Sequence, residues 1–136
     1  TGPAFACPIF PVTDLSSKAQ SYHDFSHGFF LTEAQMDWYR EHYLVDPSHA
    51  TDPRVSPLLA DDLSGQCPTC VVLAGVDPLR DEGRAYADRL SEFGVTTEVL
   101  QFDGFIHGFI NATAMGREVV GRVEQIADRI LTGLQH

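Results

Sequence analysis

Asp77 and His107 are the two residues whose types and settings could do chemistry together. Asp77 lies in Gly75-Val76-Asp77-Pro78-Leu79-Arg80-Asp81-Glu82-Gly83, directly after the apolar run Val71-Val72-Leu73-Ala74. His107 follows thirty positions later, in Asp103-Gly104-Phe105-Ile106-His107-Gly108-Phe109. A carboxylate that orients an imidazole, which takes a proton from a nucleophile, is the logic of acyl transfer. Open α/β sheets place such groups just beyond the carboxyl ends of their strands. Gly75 and Pro78 suit a tight turn beside Asp77, and Gly104 and Gly108 let the His107 loop bend sharply. Each residue also has a plainer role. Asp before Pro suits a helix N-cap, and a single His suits a structural hydrogen bond. Capping and catalysis are compatible at Asp77.

The surrounding elements must bring the two loops together. Ala4 to Val12 is short and apolar on both faces, as in a buried parallel strand, although Pro8 and Pro11 cannot donate to a ladder. Ser21 to Leu31 is aromatic-rich and weakly regular. Thr32 and Gln35 form a capping box that opens a helix to about Tyr43-Leu44, with Met36, Tyr39, Tyr43 and Leu44 as its apolar stripe. Such a combination fits either a lid over a site or ordinary core packing. Ser48 to Gln66 reads as a proline-rich surface connection. Cys70 to Gly75 is a second strand, and a helix from Leu79 to Phe93 ends at Gly94. Thr96 to Phe102 is a third strand. A last helix spans Thr113 to Leu134, with Val119, Val120, Val123, Ile126, Ala127, Ile130 and Leu134 on one stripe. Alternating strands and helices of these lengths predict an α/β fold of parallel strands with crossover helices. Asp77 and His107 then occupy successive strand-to-helix loops on one edge of the sheet.

Composition narrows the functional classes. The chain has 136 residues, 43% hydrophobic and 21% charged, which suits a globular domain. Its net charge of −10 argues against nucleic-acid and anionic-membrane partners, which call for basic surface. No apolar run reaches membrane-span length. The three cysteines, Cys7, Cys67 and Cys70, do not make a disulfide framework and favour a reducing compartment. Cys67-Pro68-Thr69-Cys70 has redox spacing, but Cys70 opens an apolar strand, so buried thiols are the simpler reading. His23 and His27 are spaced like helical metal ligands, yet no Glu lies between them and no third ligand is evident, so no metal site is expected. Asp81 and Glu82 read as first-turn acids favoured by the helix dipole, with Arg80 and Arg84 near enough to pair.

Asp77 to Gly83, with Tyr86, Ala87 and Leu90 behind it, resembles the hormone-sensitive-lipase-like serine esterases (bacterial family IV), as does Ile106-His107-Gly108-Phe109. So do Pro11-Val12-Thr13-Asp14, Gly28-Phe29-Phe30-Leu31-Thr32 with Trp38 and Tyr43-Leu44, and Asp52-Pro53-Arg54-Val55-Ser56-Pro57-Leu58. The matches cover nearly the whole chain in order. The resemblance implies the C-terminal half of an α/β-hydrolase fold with a partial helical cap. Residues 1–13 would be a core strand, 14–50 a cap-region segment, and 51–136 the C-terminal part of the core. It implies a cofactor-free carboxylic-ester hydrolase whose triad runs Ser, Asp, His along the chain. Asp77 would be the acid and His107 the base. Phe29, Phe30, Leu31 and Phe109 would line the acyl pocket, and the last helix with the third strand would offer a homodimer surface.

The sequence departs from that family in one large respect. Neither the Gly-x-Ser-x-Gly nucleophile turn nor the His-Gly-Gly-Gly oxyanion loop occurs in it. The nearest imitation, Asp24-Phe25-Ser26-His27-Gly28, lacks the first glycine and falls in the cap region. The expectation is therefore a chain that carries acid and base and relies on a complementary N-terminal segment for the serine. The rival expectation, from the edge exposed by the first strand, is a non-catalytic interaction module that folds only with such a segment.

Overall fold

The centre of the molecule is a strand with no exposed face. A computed structural model describes residues 2–135. In it β1, Thr69–Val76, is buried along almost its whole length. Its β-branched and aliphatic side chains alternate between two layers. Val72 and Ala74 pack with Phe10, Phe102, Phe109 and Ile126 on one side. Val71 and Leu73 pack with Ala87 on the other. The first layer is closed by α4 (Arg117–Gly133) and the second by α3 (Arg80–Glu92). Helices on both faces are what a parallel strand of continuous apolar sequence requires.

β2, Thr97–Ile106, pairs parallel with β1 from Thr69↔Thr97 to Ala74↔Phe102. It runs four residues beyond the Phe102 limit expected from sequence. The register shifts after Ala74, and pairing resumes at Val76↔Ile106. Gly75 explains how: a Cβ there would collide with the backbone of Asp103. The missing side chain lets β2 bulge past β1 and deliver its end beside the end of β1.

The expected first strand is reduced to two bridges, Ala6↔Thr69 and Ile9↔Val72. Pro8 accepts from the Val72 N–H through its carbonyl but has no N–H of its own, which interrupts the ladder. Phe10 then turns to a positive φ of 50° while its N–H still donates to Val72. The segment keeps its predicted place in the sheet without being a regular strand.

The helices follow their sequence signals at the ends more closely than on their faces. α1 (Gln20–Asp24) is a single turn in the stretch expected to be irregular. α2 (Glu33–Tyr43) has the full capping box between Thr32 and Gln35. Of its expected apolar stripe only Met36 is buried; Tyr39 and Tyr43 face outward, as does Trp38. α3 ends as predicted, with Gly94 at φ +78° and the Val95 N–H closing on Leu90. α4 begins at Arg117 rather than Thr113, after two short 3-10 turns, 109–111 and 113–115. Ile126 is buried and Val119 and Ile130 pack on the core, but Val120 and Leu134 remain exposed. Among the described residues no helix is long and apolar enough to cross a membrane.

Candidate active site

The fold brings the two sequence candidates into direct contact. His107 Nδ1 and Asp77 Oδ2 lie 2.8 Å apart. Asp77 is only 1% exposed and the His107 side chain 23%. The other carboxylate oxygen, Oδ1, accepts from the Leu79 N–H at 2.9 Å, and the Arg80 N–H donates to the Asp77 carbonyl. Asp77 therefore holds the turn that leads into α3 and the imidazole at once, one role per oxygen; it is not the N-cap itself, which is Leu79 and has no side-chain cap. A carboxylate accepting at Nδ1 fixes that nitrogen as N–H, and Nε2 becomes the nitrogen that can take a proton.

Gly108, at φ +72°, turns the chain immediately after the histidine. Phe10 packs against the His107 ring at 5.2 Å between centroids and against Phe109 at 5.3 Å. The imidazole is thus held from two directions, by a carboxylate at its edge and an aromatic ring at its side.

The four residues proposed to line an acyl pocket separate into two pairs. Phe29 and Phe30 are exposed, Phe30 at 72%. Phe30 has a positive φ of 72°, and its ring edge lies 3.4 Å from where a Cβ on Gly108 would sit. Leu31 is buried with Tyr22, Met36 and Leu79, and Phe109 is buried in the core beneath His107. A groove lined by Asp37, Arg40, Leu44 and Val45 borders α2 rather than the histidine.

Three supporting residues were not singled out from sequence. Glu82, which reads from sequence as a first-turn acid favoured by the helix dipole, is 4% exposed. It accepts from the Thr13 N–H at 2.6 Å and the Asp14 N–H at 3.2 Å. Burial pushes its carboxyl up to about 7, against the pull of those donors and the Tyr22 hydroxyl. Ser21 Oγ donates to the Pro78 carbonyl and accepts from the Asp81 N–H, while the Ser21 N–H donates to Asp81 Oδ2. Phe10 is the third. Residues 13–22 are thereby bolted to the loop that carries Asp77. A buried acid has no local signal that separates it from a helix-dipole acid. Only the long-range partners Thr13 and Asp14 do so. Asp81 does pair with Arg80, at 2.8 Å, but Arg84 bonds Gln101 instead of an acid.

His23 and His27 do not come together with other ligands. His27 bonds Ser26, and no group of three His, Cys, Asp or Glu side chains gathers among the described residues.

A family profile described as alpha/beta hydrolase fold matches residues 1–111. Carboxylic ester hydrolase LipN of Mycobacterium tuberculosis (strain ATCC 25618 / H37Rv) is 41% identical over 112 residues, covering 79% of this chain and 29% of that protein. Ethyl acetate hydrolase of Pseudomonas putida is 34% identical over 108 residues, covering 79% of this chain and 34% of that protein. Among solved structures, ester-hydrolase EH1AB1 from the metagenome of Lake Arreo superposes with a TM-score of 0.90 at 44% identity, over 99% of this chain and 42% of that one. The chain thus spans about a third of the length of the curated relatives it matches.

Proposed function

The chain belongs to the alpha/beta-hydrolase fold family, and from that membership we propose that it supplies the acid and the base of a serine carboxylic-ester hydrolase, Asp77 and His107. The observation that carries the reading is the 2.8 Å bond between them, made across thirty residues and two strand ends. The esterase names of the relatives support the reaction class. The serine and the oxyanion donors would come from a complementary segment, since neither motif occurs in this sequence and the relatives are about three times as long as the match.

In the proposed mechanism His107 Nε2 takes the hydroxyl proton of that serine as its oxygen attacks the ester carbonyl. Asp77 holds the Nδ1–H and stabilises the imidazolium that forms. The imidazolium then gives its proton to the departing alkoxide, leaving an acyl-enzyme. A water molecule repeats the sequence and frees the acid. Phe30, exposed beside the His107 turn, and the neighbouring exposed Phe29 would border the acyl group. Residues 14–50 would form part of a cap between core segments 1–13 and 51–136.

The test is hydrolysis of a chromogenic short-chain ester. Chain 1–136 alone is expected to be inactive, and the full-length protein active. Full-rate hydrolysis by a full-length Asp77→Asn, His107→Ala double variant would overturn the assignment. A folded but inert full-length protein would favour the interaction-module reading instead, whereas a chain 1–136 that is folded and monomeric by itself would count against it.

A further inference from the structure

We propose that Cys7 and Cys70 form a redox-modification site, a dithiol that a peroxide converts to a disulfide joining the first segment to β1. The spacing in the sequence points elsewhere, to Cys67 and Cys70. The sheet separates those two. Cys67 lies near Tyr86 of α3, whereas Cys70 lies on the α4 layer with Val72 and Ala74.

The partner of Cys70 is set by register. The bridges Ala6↔Thr69 and Ile9↔Val72 share one parallel alignment, and that alignment puts Cys7 opposite Cys70. The Cys70 N–H donates to the Ala6 carbonyl at 2.9 Å, which fixes the two backbones side by side. Neighbouring strands run about 4.8 Å apart, within the Cα separation of about 4.4–6.8 Å that a disulfide spans. Both side chains point to the same face. Each thiol perturbs the other, which lowers Cys7 and raises Cys70. The Arg129 guanidinium lowers Cys7 further; it pairs with Glu98 and lies 5.6 Å from the Phe5 ring. Cys7 is half-buried and Cys70 fully buried. Cys7 is thus the thiol a small oxidant reaches first, and the one most readily present as thiolate.

The chemistry balances with one peroxide. The Cys7 thiolate attacks a peroxide oxygen, so an S–O bond forms, the O–O bond breaks, and the departing hydroxide takes up a proton as water. The Cys70 sulfur then attacks the Cys7 sulfur. An S–S bond forms, the S–O bond breaks, and the second water leaves with the Cys70 proton. Two thiols are oxidised and one peroxide is reduced to two waters. The cross-link would pin the segment that carries Phe10, the ring packed against His107, and a small dithiol would release it.

The site stands independently of the triad reading, because its readout is mass rather than hydrolysis. The full-length protein is titrated with hydrogen peroxide, alkylated and digested without reductant. The expected product is a peptide pair joined through Cys7 and Cys70, lighter by two hydrogens and separated by dithiothreitol. Cys67→Ser retains that link, and Cys7→Ser loses it while leaving Cys70 alkylatable. A Cys67–Cys70 link, a Cys7 sulfinic acid with no cross-link, or three alkylatable thiols after excess peroxide would each overturn the proposal.

Discussion

The Asp77 loop and the α2 helix meet solvent in opposite ways. Around Asp77 the carboxylates and hydroxyls that tie the loop down have partners inside the protein: Leu79 N–H and His107 on Asp77, Thr13 and Asp14 N–H on Glu82, Pro78 and Asp81 on Ser21. Around α2 the end is well capped, yet Trp38, Tyr39 and Tyr43 face outward, Tyr43 at 67% exposure. One region is fixed by what lies across the sheet from it. The other is fixed by its own backbone. A residue in the first can be precise enough for catalysis, because its rotamer is held by several distant contacts at once.

That contrast can be broken at Asp77. In the full-length protein Asp77→Asn is expected to slow ester hydrolysis about 10⁴-fold, because the amide favours the wrong imidazole tautomer. A loss below tenfold would mean that the pair is structural only. Next comes the glycine that lets the strands converge. Gly75→Ala forces a Cβ into the Asp103 backbone, a rigid neighbour. It is expected to cost about 3 kcal/mol in denaturant unfolding, with hydrolysis falling alongside as the His107 loop shifts.

Glu82 gives the contrast a pH dependence. Its carboxyl sits at about 7 in the fold, above the ordinary 4.5 it regains on unfolding. The fold therefore favours its protonated form. The stability it contributes is complete below pH 4.5 and is lost as pH rises through 7. The full swing is on the order of 3 kcal/mol. Glu82→Gln should flatten this part of the stability profile while Asp14 and Tyr22, its titratable neighbours, still titrate. An unchanged slope between pH 4.5 and 7 would remove Glu82 as its source.

The smallest effects belong to α2. Met36→Ala empties a buried position and should cost about 2 kcal/mol by thermal unfolding. Trp38→Ala, on the outward face of the same helix, should stay within about 0.5 kcal/mol. Comparable losses at both positions would mean that the exposed face is covered in solution.

How much of this was legible in the sequence follows the same division. Features written locally are legible: the Thr32 capping box, the Gly94 stop, the run Val71 to Ala74, and the alternation of β1, α3, β2 and α4. The pairing of Asp77 with His107 was legible as well, since consecutive strand-to-helix loops of a parallel sheet share an edge. What sequence could not supply is anything decided by a distant partner. Tyr39 and Tyr43 have the spacing of a buried stripe, but spacing does not say whether another element covers it. Glu82 is indistinguishable from a dipole acid until Thr13 arrives. Pro8 gave warning that the first segment would not be a full strand, whereas nothing local announced the positive φ of Phe10.

The bulge at Gly75 has one more consequence, for how the site comes into being. Asp77 and His107 follow different strands and meet only because β2 gains its extra residues at one point of the ladder. No hairpin, helix or other local fragment contains the pair. A slip of β2 by a single residue would turn its side chains to the opposite layer and carry His107 out of reach of Asp77. The hydrogen bond between them therefore reports on assembly: it is present only in a chain whose sheet has closed in the right register.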